Sequence, residues 1–259
     1  MGLYYQESGD KNAPLMVFLH GGGVSSWMWE KQIQYFTNYH CLTIDLPEQG
    51  KSSRIDHFTI RDSAEKIIVL TEKMSNGKKI VVIGFSLGAQ VAIQMISMKP
   101  DLISSAVINS ALVRPNAFFR KMIRPSVKFT FPLISIKYFA RLQSKILYVS
   151  EEHFEAYYEE TSQMKADSLI RILKENMSFE IPNDFNKARC KILVTVGEKE
   201  KGIMKKSAID IVSSNSNCLG IIIPSVGHGV SLQKPNFFNQ MVEKWLLECV
   251  LPINAIPIK

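Results

Sequence analysis

The sequence predicts an α/β protein with a doubly wound, mostly parallel sheet and a helical insertion between two late strands. Short apolar runs alternate with helix-like stretches along most of the 259 residues, as expected for strands joined by helical crossovers. The apolar runs lack strict alternation of apolar and polar residues, which is typical of strands covered on both faces. This order is interrupted once, by a proline-containing stretch with only helical patterns.

We expect one core domain formed by residues 1–112 and 189–259, with residues 113–188 forming a helical cap, or lid. The length of the chain and its 46% apolar content are sufficient for a sizeable single core. Six apolar stretches are predicted as strands, in chain order 14–20, 40–45, 79–84, 104–110, 191–197 and 218–225. Core helices are predicted at 25–36, 59–74, 86–99, 204–214 and 235–250. Cap helices are predicted at 116–124 and 151–179, with helix breakers at Pro115, Pro125, Pro132 and Pro182.

The net charge of +7 is concentrated in one segment. Residues 114–145 contain eight of the 31 basic residues and none of the 24 acidic ones, so the rest holds 23 basic against 24 acidic residues. A near-neutral body with one basic segment is not a uniformly basic nucleic-acid binder, and we expect no nucleic-acid partner.

The cysteines and the hydropathy favour a cytoplasmic protein. The four cysteines are far apart in sequence and form no C-x-x-C pair, which indicates reduced thiols rather than disulfides or a zinc site. No run of 18 apolar residues and no signal-peptide pattern is found, so no membrane-spanning helix is expected.

Ser86 lies in the pentapeptide GFSLG, between Gly84 and Gly88. The pentapeptide connects a predicted strand to a predicted helix, where a G-x-S-x-G sequence forms a sharp turn that exposes the serine oxygen. Near a helix N-terminus, free N–H groups stabilise a developing anion. The pattern therefore predicts a nucleophilic serine, and a helix-capping serine with packing glycines is the alternative.

A nucleophilic serine needs a base, and His228 is the histidine best placed to serve. It follows the last predicted strand, in the sequence VGHGVSL, and should therefore lie at the same carboxyl edge of the sheet as Ser86. An ordinary surface-loop histidine is the alternative interpretation.

Together these motifs resemble the α/β-hydrolase superfamily, in particular its cofactor-free serine hydrolases with a helical cap. Carboxylesterases, monoglyceride-lipase-like enzymes, lactonases and carbon–carbon bond hydrolases are of this kind. The resemblance covers nearly the whole chain and includes the chain order serine, acid, histidine. The matching stretches are HGGG at 20–23, IDLPEQGKS at 44–52, GFSLG at 84–88, VGEKE at 196–200 and VGHGVSLQKPNFF at 226–238.

The resemblance implies a catalytic triad of Ser86, His228 and an acid in the 196–200 loop. Glu200 matches the position where the family usually has aspartate, and Glu198 is the nearest competitor. The family's other usual place for the acid follows the strand at 104–110, and no carboxylate occurs there before Glu151.

The resemblance also implies an oxyanion hole formed by the backbone N–H groups of Gly22 and Leu87, with Gly23 as the alternative donor. Members usually read D-x-P-G-x-G in the loop at 44–52, and here Glu48 replaces the first of those glycines. A different turn is therefore expected at Glu48.

The function implied is hydrolysis of a carboxylic ester-type bond in a small acyl substrate through an acyl-enzyme, with neither cofactor nor metal. Hydrolysis of thioester, lactone or carbon–carbon bonds is an alternative, as is a catalytically idle binding protein on the same scaffold. The basic segment 114–145 has two interpretations. It is either a solvated face of the cap or a lid that meets an anionic substrate or a membrane surface.

Overall fold

The structure, a computed structural model, describes residues 2–55 and 57–258. Over these residues, eight strands form one sheet. The strands are β1 (Tyr5–Gly9), β2 (Leu15–Leu19), β3 (His40–Ile44), β4 (Ile80–Phe85), β5 (Ser105–Asn109), β6 (Lys191–Gly197), β7 (Cys218–Ile223) and β8 (Ile256–Ile258). Their order across the sheet is β1-β3-β2-β4-β5-β6-β7-β8.

The six central strands are parallel, and only the two edge strands run antiparallel to their neighbours. The prediction of a doubly wound, mostly parallel sheet is confirmed, and all six predicted strands are present. The two edge strands were not predicted. β1 is mostly polar and exposed, and β8 contains Pro257, which is tolerated because an edge strand leaves one row of backbone groups unpaired.

The described residues also form ten α-helices. These are α1 (Glu30–Tyr35), α2 (Ile60–Ser75), α3 (Leu87–Met98), α4 (Ala117–Thr130), α5 (Lys137–Ile146), α6 (Phe154–Gln163), α7 (Ala166–Ser178), α8 (Gly202–Ser214), α9 (Val230–Gln233) and α10 (Pro235–Glu248). Short 3₁₀ turns cover Ser26–Trp29, Gly50–Ser52, Phe131–Leu133, Glu151–His153 and Asn183–Lys187. None of the helices in the described chain is long and apolar enough to cross a membrane.

Two predictions within residues 113–188 are wrong. The single helix predicted at 151–179 is divided into α6 and α7, because Met164 and Lys165 have extended backbones. Pro125 does not end a helix and lies inside α4 instead. A proline there removes only the hydrogen bond to the carbonyl of Lys121, which lies on an exposed part of the helix.

The core consists of two apolar layers, one on each face of the sheet. Alternate residues of β2 enter opposite layers: Leu15, Val17 and Leu19 join one layer, and Met16 and Phe18 join the other. The helices α2, α3 and α8 cover the first layer, and α1 and α10 cover the second.

The segment between β5 and β6 contains α4 to α7, and we call residues 113–188 the insert. A third and smaller apolar cluster holds α4 against α7 through the buried side chains of Ile123, Val127 and Ile170. The carboxyl ends of the central parallel strands are the edge at which ligands bind in sheets of this kind.

Candidate active site

Ser86 lies on the sharp turn between β4 and α3, as the pentapeptide predicts. Its backbone has φ 52° and ψ −112°, a strained conformation for a residue other than glycine. The turn is crowded: a Cβ atom on Gly84 would lie 2.5 Å from the carbonyl oxygen of Gly88. A Cβ atom on Gly88 would lie 2.2 Å from the carbonyl oxygen of Leu19. Both glycines are therefore required by close backbone approach.

The structure brings Ser86, His228 and Glu200 into one line of hydrogen bonds. The Nε2 atom of His228 lies 3.1 Å from the hydroxyl oxygen of Ser86. The Nδ1 atom of the same ring lies 2.7 Å from Oε2 of Glu200. With Nδ1 protonated and bonded to the carboxylate, Nε2 is free to accept the serine proton. This is the geometry that a general base requires.

The carboxylate of Glu200 is buried and fully hydrogen-bonded. Its side chain is 1% exposed. Besides His228, it accepts hydrogen bonds from the backbone N–H of Gly197 at 2.8 Å and from the hydroxyl of Ser110 at 2.7 Å. Three donors thus compensate for the burial of the charge and hold the carboxylate in place.

Ser110 was not identified from the sequence. It directly follows β5 and has a left-handed backbone, with φ 56°. It is the last residue of the predicted strand at 104–110, after which the family's alternative acid would stand and where no carboxylate occurs before Glu151. The structure places a hydroxyl there that binds the Glu200 carboxylate.

Glu198, the competing acid, points elsewhere. Its side chain accepts the backbone N–H of Ser225 at 2.8 Å, and the residue is exposed. The structure therefore pairs His228 with Glu200. The catalytic role of the three residues remains a prediction.

The predicted oxyanion donors lie next to Ser86. Leu87 is the first residue of α3, so its N–H has no partner within the helix. Gly22 lies against Leu87, since a Cβ atom on Gly22 would contact the Leu87 side chain at 3.7 Å. Gly23, the alternative, already donates its N–H to Oε1 of Gln49 at 3.2 Å. This favours Gly22 over Gly23 as the donor.

The glycine loop is held by a buried histidine. Nε2 of His20 accepts the backbone N–H of Leu46 at 2.9 Å, so Nδ1 carries the proton and donates to the carbonyl of Gly21 at 2.7 Å. Burial lowers the pKa of His20, although the nearby Asp45 carboxylate opposes this shift. A neutral ring can make both hydrogen bonds, which link the glycine loop to the loop after β3.

Two cavities lie between the site and the insert. A small cavity of about 40 Å³ touches Ser86, His228 and Gly22, and its outer side is formed by Ile146, Leu147 and Tyr148. A second cavity of about 270 Å³ shares Ile146 and Leu147 with the first. Its other lining residues are mostly apolar and comprise Gly23, Ile134, Gln143, Tyr157, Thr161, Met164 and Leu169.

Tyr148 lies over the histidine loop and was also not identified from the sequence. Its backbone is left-handed, with φ 58°. A Cβ atom on Gly227 would lie 2.3 Å from the Tyr148 hydroxyl, and one on Gly229 would lie 2.9 Å from its ring. The two glycines that flank His228 thus make room for Tyr148.

Glu48 links the loop after β3 to the insert. Its carboxylate binds the Arg171 guanidinium through two hydrogen bonds, at 2.8 and 2.6 Å. It also accepts the hydroxyl of Ser168 and the backbone N–H of Phe58. Burial by itself would raise the pKa of Glu48, but these hydrogen bonds and the Arg171 charge outweigh burial and lower it. Glu48 has a left-handed backbone, with φ 63°, in the region that favours glycine.

Within the described residues, one group of side chains could offer three ligand atoms to a metal ion: Glu30, Glu152 and His153. His153 already bonds Glu30 at 2.6 Å, and Lys31 pairs with Glu152 at 3.3 Å. The group is separate from Ser86, and nothing in its contacts requires an ion.

Comparison with known proteins agrees with this architecture. The model of the α/β-hydrolase fold family matches residues 14–235. The chain is 23% identical to an (E)-2-((N-methylformamido)methylene)succinate hydrolase of Acinetobacter baylyi, over 94% of this chain and 93% of that protein. It is 25% identical to a pimeloyl-[acyl-carrier protein] methyl ester esterase of Wigglesworthia glossinidia brevipalpis, over 89% of this chain and 93% of that protein.

Solved structures are similar over the same extent. A hydrolase from Pseudomonas aeruginosa superposes with a TM-score of 0.79 at 17% identity, covering 95% of this chain and 94% of the other. At this identity the likeness shows the fold alone. The fold class predicted from the sequence is confirmed by this superposition and by the family match.

Proposed function

The chain belongs to the α/β-hydrolase fold family, and on that premise we propose that it is a serine hydrolase of carboxylic ester-type bonds. One observation carries the proposal: the continuous hydrogen-bonded line from the buried Glu200 through His228 to Ser86 on its strained turn. A helix-capping serine would not need a histidine on its hydroxyl or a buried carboxylate behind that histidine.

In the proposed reaction, His228 takes the proton of Ser86 as the serine oxygen attacks the substrate's carbonyl carbon. Glu200 holds the ring in the required tautomer and stabilises the imidazolium. The N–H groups of Gly22 and Leu87 bind the oxyanion, and each such donor lowers the barrier by roughly 3 kcal/mol. The ring then gives its proton to the leaving alcohol, and water activated by His228 cleaves the acyl-enzyme to the acid.

The cavities indicate the kind of group that the substrate carries. The second cavity is lined mainly by apolar side chains and shares Ile146 and Leu147 with the cavity at Ser86. Burial raises the pKa of Tyr157 in this cavity to about 12, so the phenol stays neutral at physiological pH. We propose that the cavity takes an uncharged, apolar acyl or alkyl group.

A fluorophosphonate probe tests the serine mechanism directly, because it labels only an activated serine. We expect labelling of the wild type at Ser86 and none in Ser86→Ala or His228→Ala, with circular dichroism showing that both variants fold. A folded wild type that resists labelling and hydrolyses no ester would identify the chain as a binding protein on this scaffold.

A series of p-nitrophenyl esters with acyl chains of increasing length tests the proposed substrate class. The highest kcat/KM should occur for an acyl chain of intermediate length that fills about 270 Å³. A preference for acetate over every longer chain would contradict the assignment of this cavity.

A further inference from the structure

The outer face of α4 carries a stripe of exposed apolar side chains. Phe118, Met122 and Phe129 lie on one face of the helix, at spacings of four and seven residues, and are 69%, 46% and 83% exposed. The opposite face buries only Ile123 and Val127. Large apolar side chains arranged in this way mark an interaction surface.

The adjacent face of α4 is cationic. Arg120, Lys121, Arg124 and Lys128 of α4, together with Lys174 of α7, line an open groove of about 750 Å³ between the two helices. Pro125, Ser178 and Glu175 complete the groove. Glu175 is the single acid in this lining, and its carboxylate accepts the backbone N–H of Ile60.

Most of these cations are not neutralised by the protein. Over residues 2–55 and 57–258, no carboxylate oxygen lies within 4.0 Å of the charged nitrogens of Arg120, Lys121 or Lys128. Arg124 lies 3.8 Å from Asp167, and both of those side chains are more than half exposed. The groove therefore keeps most of its positive charge.

Two cations of α5 behave differently. In α5, Lys137 pairs with Glu155 at 2.8 Å, and Arg141 pairs with Glu151 at 2.6 Å. Two acids of the stretch at 151–160 thus pair with cations of α5, as on a solvated and paired face. The unpaired charge is concentrated on α4.

We propose that α4 docks on the surface of a bilayer that contains anionic phospholipids. Phe118, Met122 and Phe129 enter the boundary between headgroups and acyl chains, and the cations of the groove bind lipid phosphates. The positive charge of the groove is complementary to anionic headgroups, and the apolar stripe beside it is complementary to acyl chains. Together these two features favour an anionic bilayer as the partner. A nucleic acid or a soluble anion would bind the cations of the groove but would leave the apolar stripe exposed to water.

This proposal is independent of the proposed hydrolysis. The binding experiment is therefore done with Ser86→Ala, which leaves α4 unchanged and prevents cleavage of any lipid. Failure to bind lipid then says nothing about the triad, and failure of fluorophosphonate labelling says nothing about α4.

The test is co-sedimentation with vesicles of phosphatidylcholine alone or mixed with phosphatidylglycerol, at 50 and 500 mM salt. We expect binding to the mixed vesicles at low salt, weaker binding at high salt because surface attraction is screened, and little binding to phosphatidylcholine alone. Lys121→Gln/Lys128→Gln should reduce binding at low salt by about 30-fold, because each cation near an anionic surface contributes about 1 kcal/mol.

Matched control variants distinguish the contribution of α4 to vesicle binding from that of exposed charged or apolar side chains elsewhere on the protein. Lys66→Gln/Lys73→Gln removes two exposed lysines from α2 and should leave binding within about twofold of the parent. Phe118→Ser/Phe129→Ser should also weaken binding at least about tenfold. Val69→Ser/Leu247→Ser is the control for these apolar side chains, because Val69 and Leu247 are 67% and 70% exposed. This variant should bind the vesicles as the parent does.

Three results would overturn the proposal. They are absence of binding to the mixed vesicles at 50 mM salt, equal losses in the α4 and control variants, and a dimer in sedimentation velocity that Phe118→Ser/Phe129→Ser abolishes. The last result would make a second copy of the chain the occupant of the stripe.

Discussion

At the scale of single residues, Glu48 combines backbone strain with a buried charge. Its left-handed backbone, with φ 63°, is one that a side chain of this type rarely adopts. The residue is 2% exposed, and its carboxylate binds Arg171, Ser168 and the N–H of Phe58. The ion pair with Arg171 stabilises the buried carboxylate in this strained turn. It also connects the loop after β3 to α7.

This ion pair predicts an acid-sensitive contribution to stability. The folded pKa of Glu48 lies below its ordinary value of 4.5, so the stabilisation is complete above that value and is lost as pH falls through the folded pKa. Glu48→Gln should lower the free energy of unfolding by about 2 kcal/mol at pH 7, because Arg171 loses a charged hydrogen-bond acceptor. The difference from wild type should shrink below pH 4.5 in urea titrations.

Glu65→Gln is the matched control for Glu48. Glu65 pairs with Arg61 on the exposed surface of α2 at 3.4 Å, and its loss should cost less than about 0.5 kcal/mol. A Glu48→Gln effect that is the same at pH 7 and pH 3.5 would refute the titration argument.

The choice between two glutamates is also made at the residue scale. Glu200→Gln should lower kcat for an ester substrate by about 10³- to 10⁴-fold, because the amide no longer holds His228 in the required tautomer or stabilises its charge. Glu198→Gln should lower kcat less than about threefold, since the Glu198 side chain is exposed and accepts only the backbone N–H of Ser225 among the described residues.

Steady-state kinetics of the two variants under identical conditions decides this assignment. The reverse ranking would transfer the acid to Glu198. Near-wild-type kcat in both variants would show that the reaction uses no carboxylate from this loop.

At the scale of elements, the turn between β4 and α3 sets the position of Ser86. The backbone of α3 passes so close to β2 that Gly88 has no room for a side chain, and the obstacle is the carbonyl of Leu19. Backbone atoms in a central strand cannot shift as the tip of a flexible side chain can. The approach of helix to strand therefore depends on glycine.

Gly88→Ala should consequently destabilise the protein by about 3 kcal/mol or abolish expression of soluble protein, because the added methyl group overpacks the core. Gly202→Ala is the control, since a Cβ atom on Gly202 has no neighbour within 4 Å. Its free energy of unfolding should change by less than about 1 kcal/mol. Thermal unfolding of both variants measures the contrast, and equal losses would refute the packing argument.

The end of α5 and the linker that follows it border the site. Ile146, Leu147 and Tyr148 border the cavity at Ser86, which holds about 40 Å³. A substrate too large for this cavity must displace these side chains or extend into the second cavity, so we expect the linker to limit substrate size.

At the scale of the whole molecule, stability is unevenly distributed between the sheet and the insert. The sheet has a large apolar layer on each face. By contrast, α4 is held by a small cluster with three buried side chains. Segments with few buried apolar contacts open more readily than the global structure.

Hydrogen exchange should show this difference directly. We expect amides of α4 to exchange at least about tenfold faster than those of α3, which has ten buried residues among twelve. α2 has two residues more than α4 and also packs on the core, so it serves as the reference for helix length. Similar protection of α2 and α4 in mass spectrometry would contradict this view of the insert.

The sequence by itself determined the features that depend on local pattern. Apolar runs predicted the six parallel strands, because strands buried on both faces need continuous apolar residues. The spacing of Gly84, Ser86 and Gly88 predicted the turn, since the strand-to-helix turn forms within these adjacent residues. The edge strands β1 and β8 escaped prediction because exposed strands carry little apolar signal.

Only the tertiary structure decided which distant side chains meet. The pairing of His228 with Glu200, the hydroxyl of Ser110 on that carboxylate, and Tyr148 over the histidine loop all join separate loops at one sheet edge. The same holds for the charges of the insert: Lys137 and Arg141 of α5 find acidic partners, and several cations of α4 do not. Such contacts depend on how strands and helices are placed in space, which periodicity along the chain does not encode.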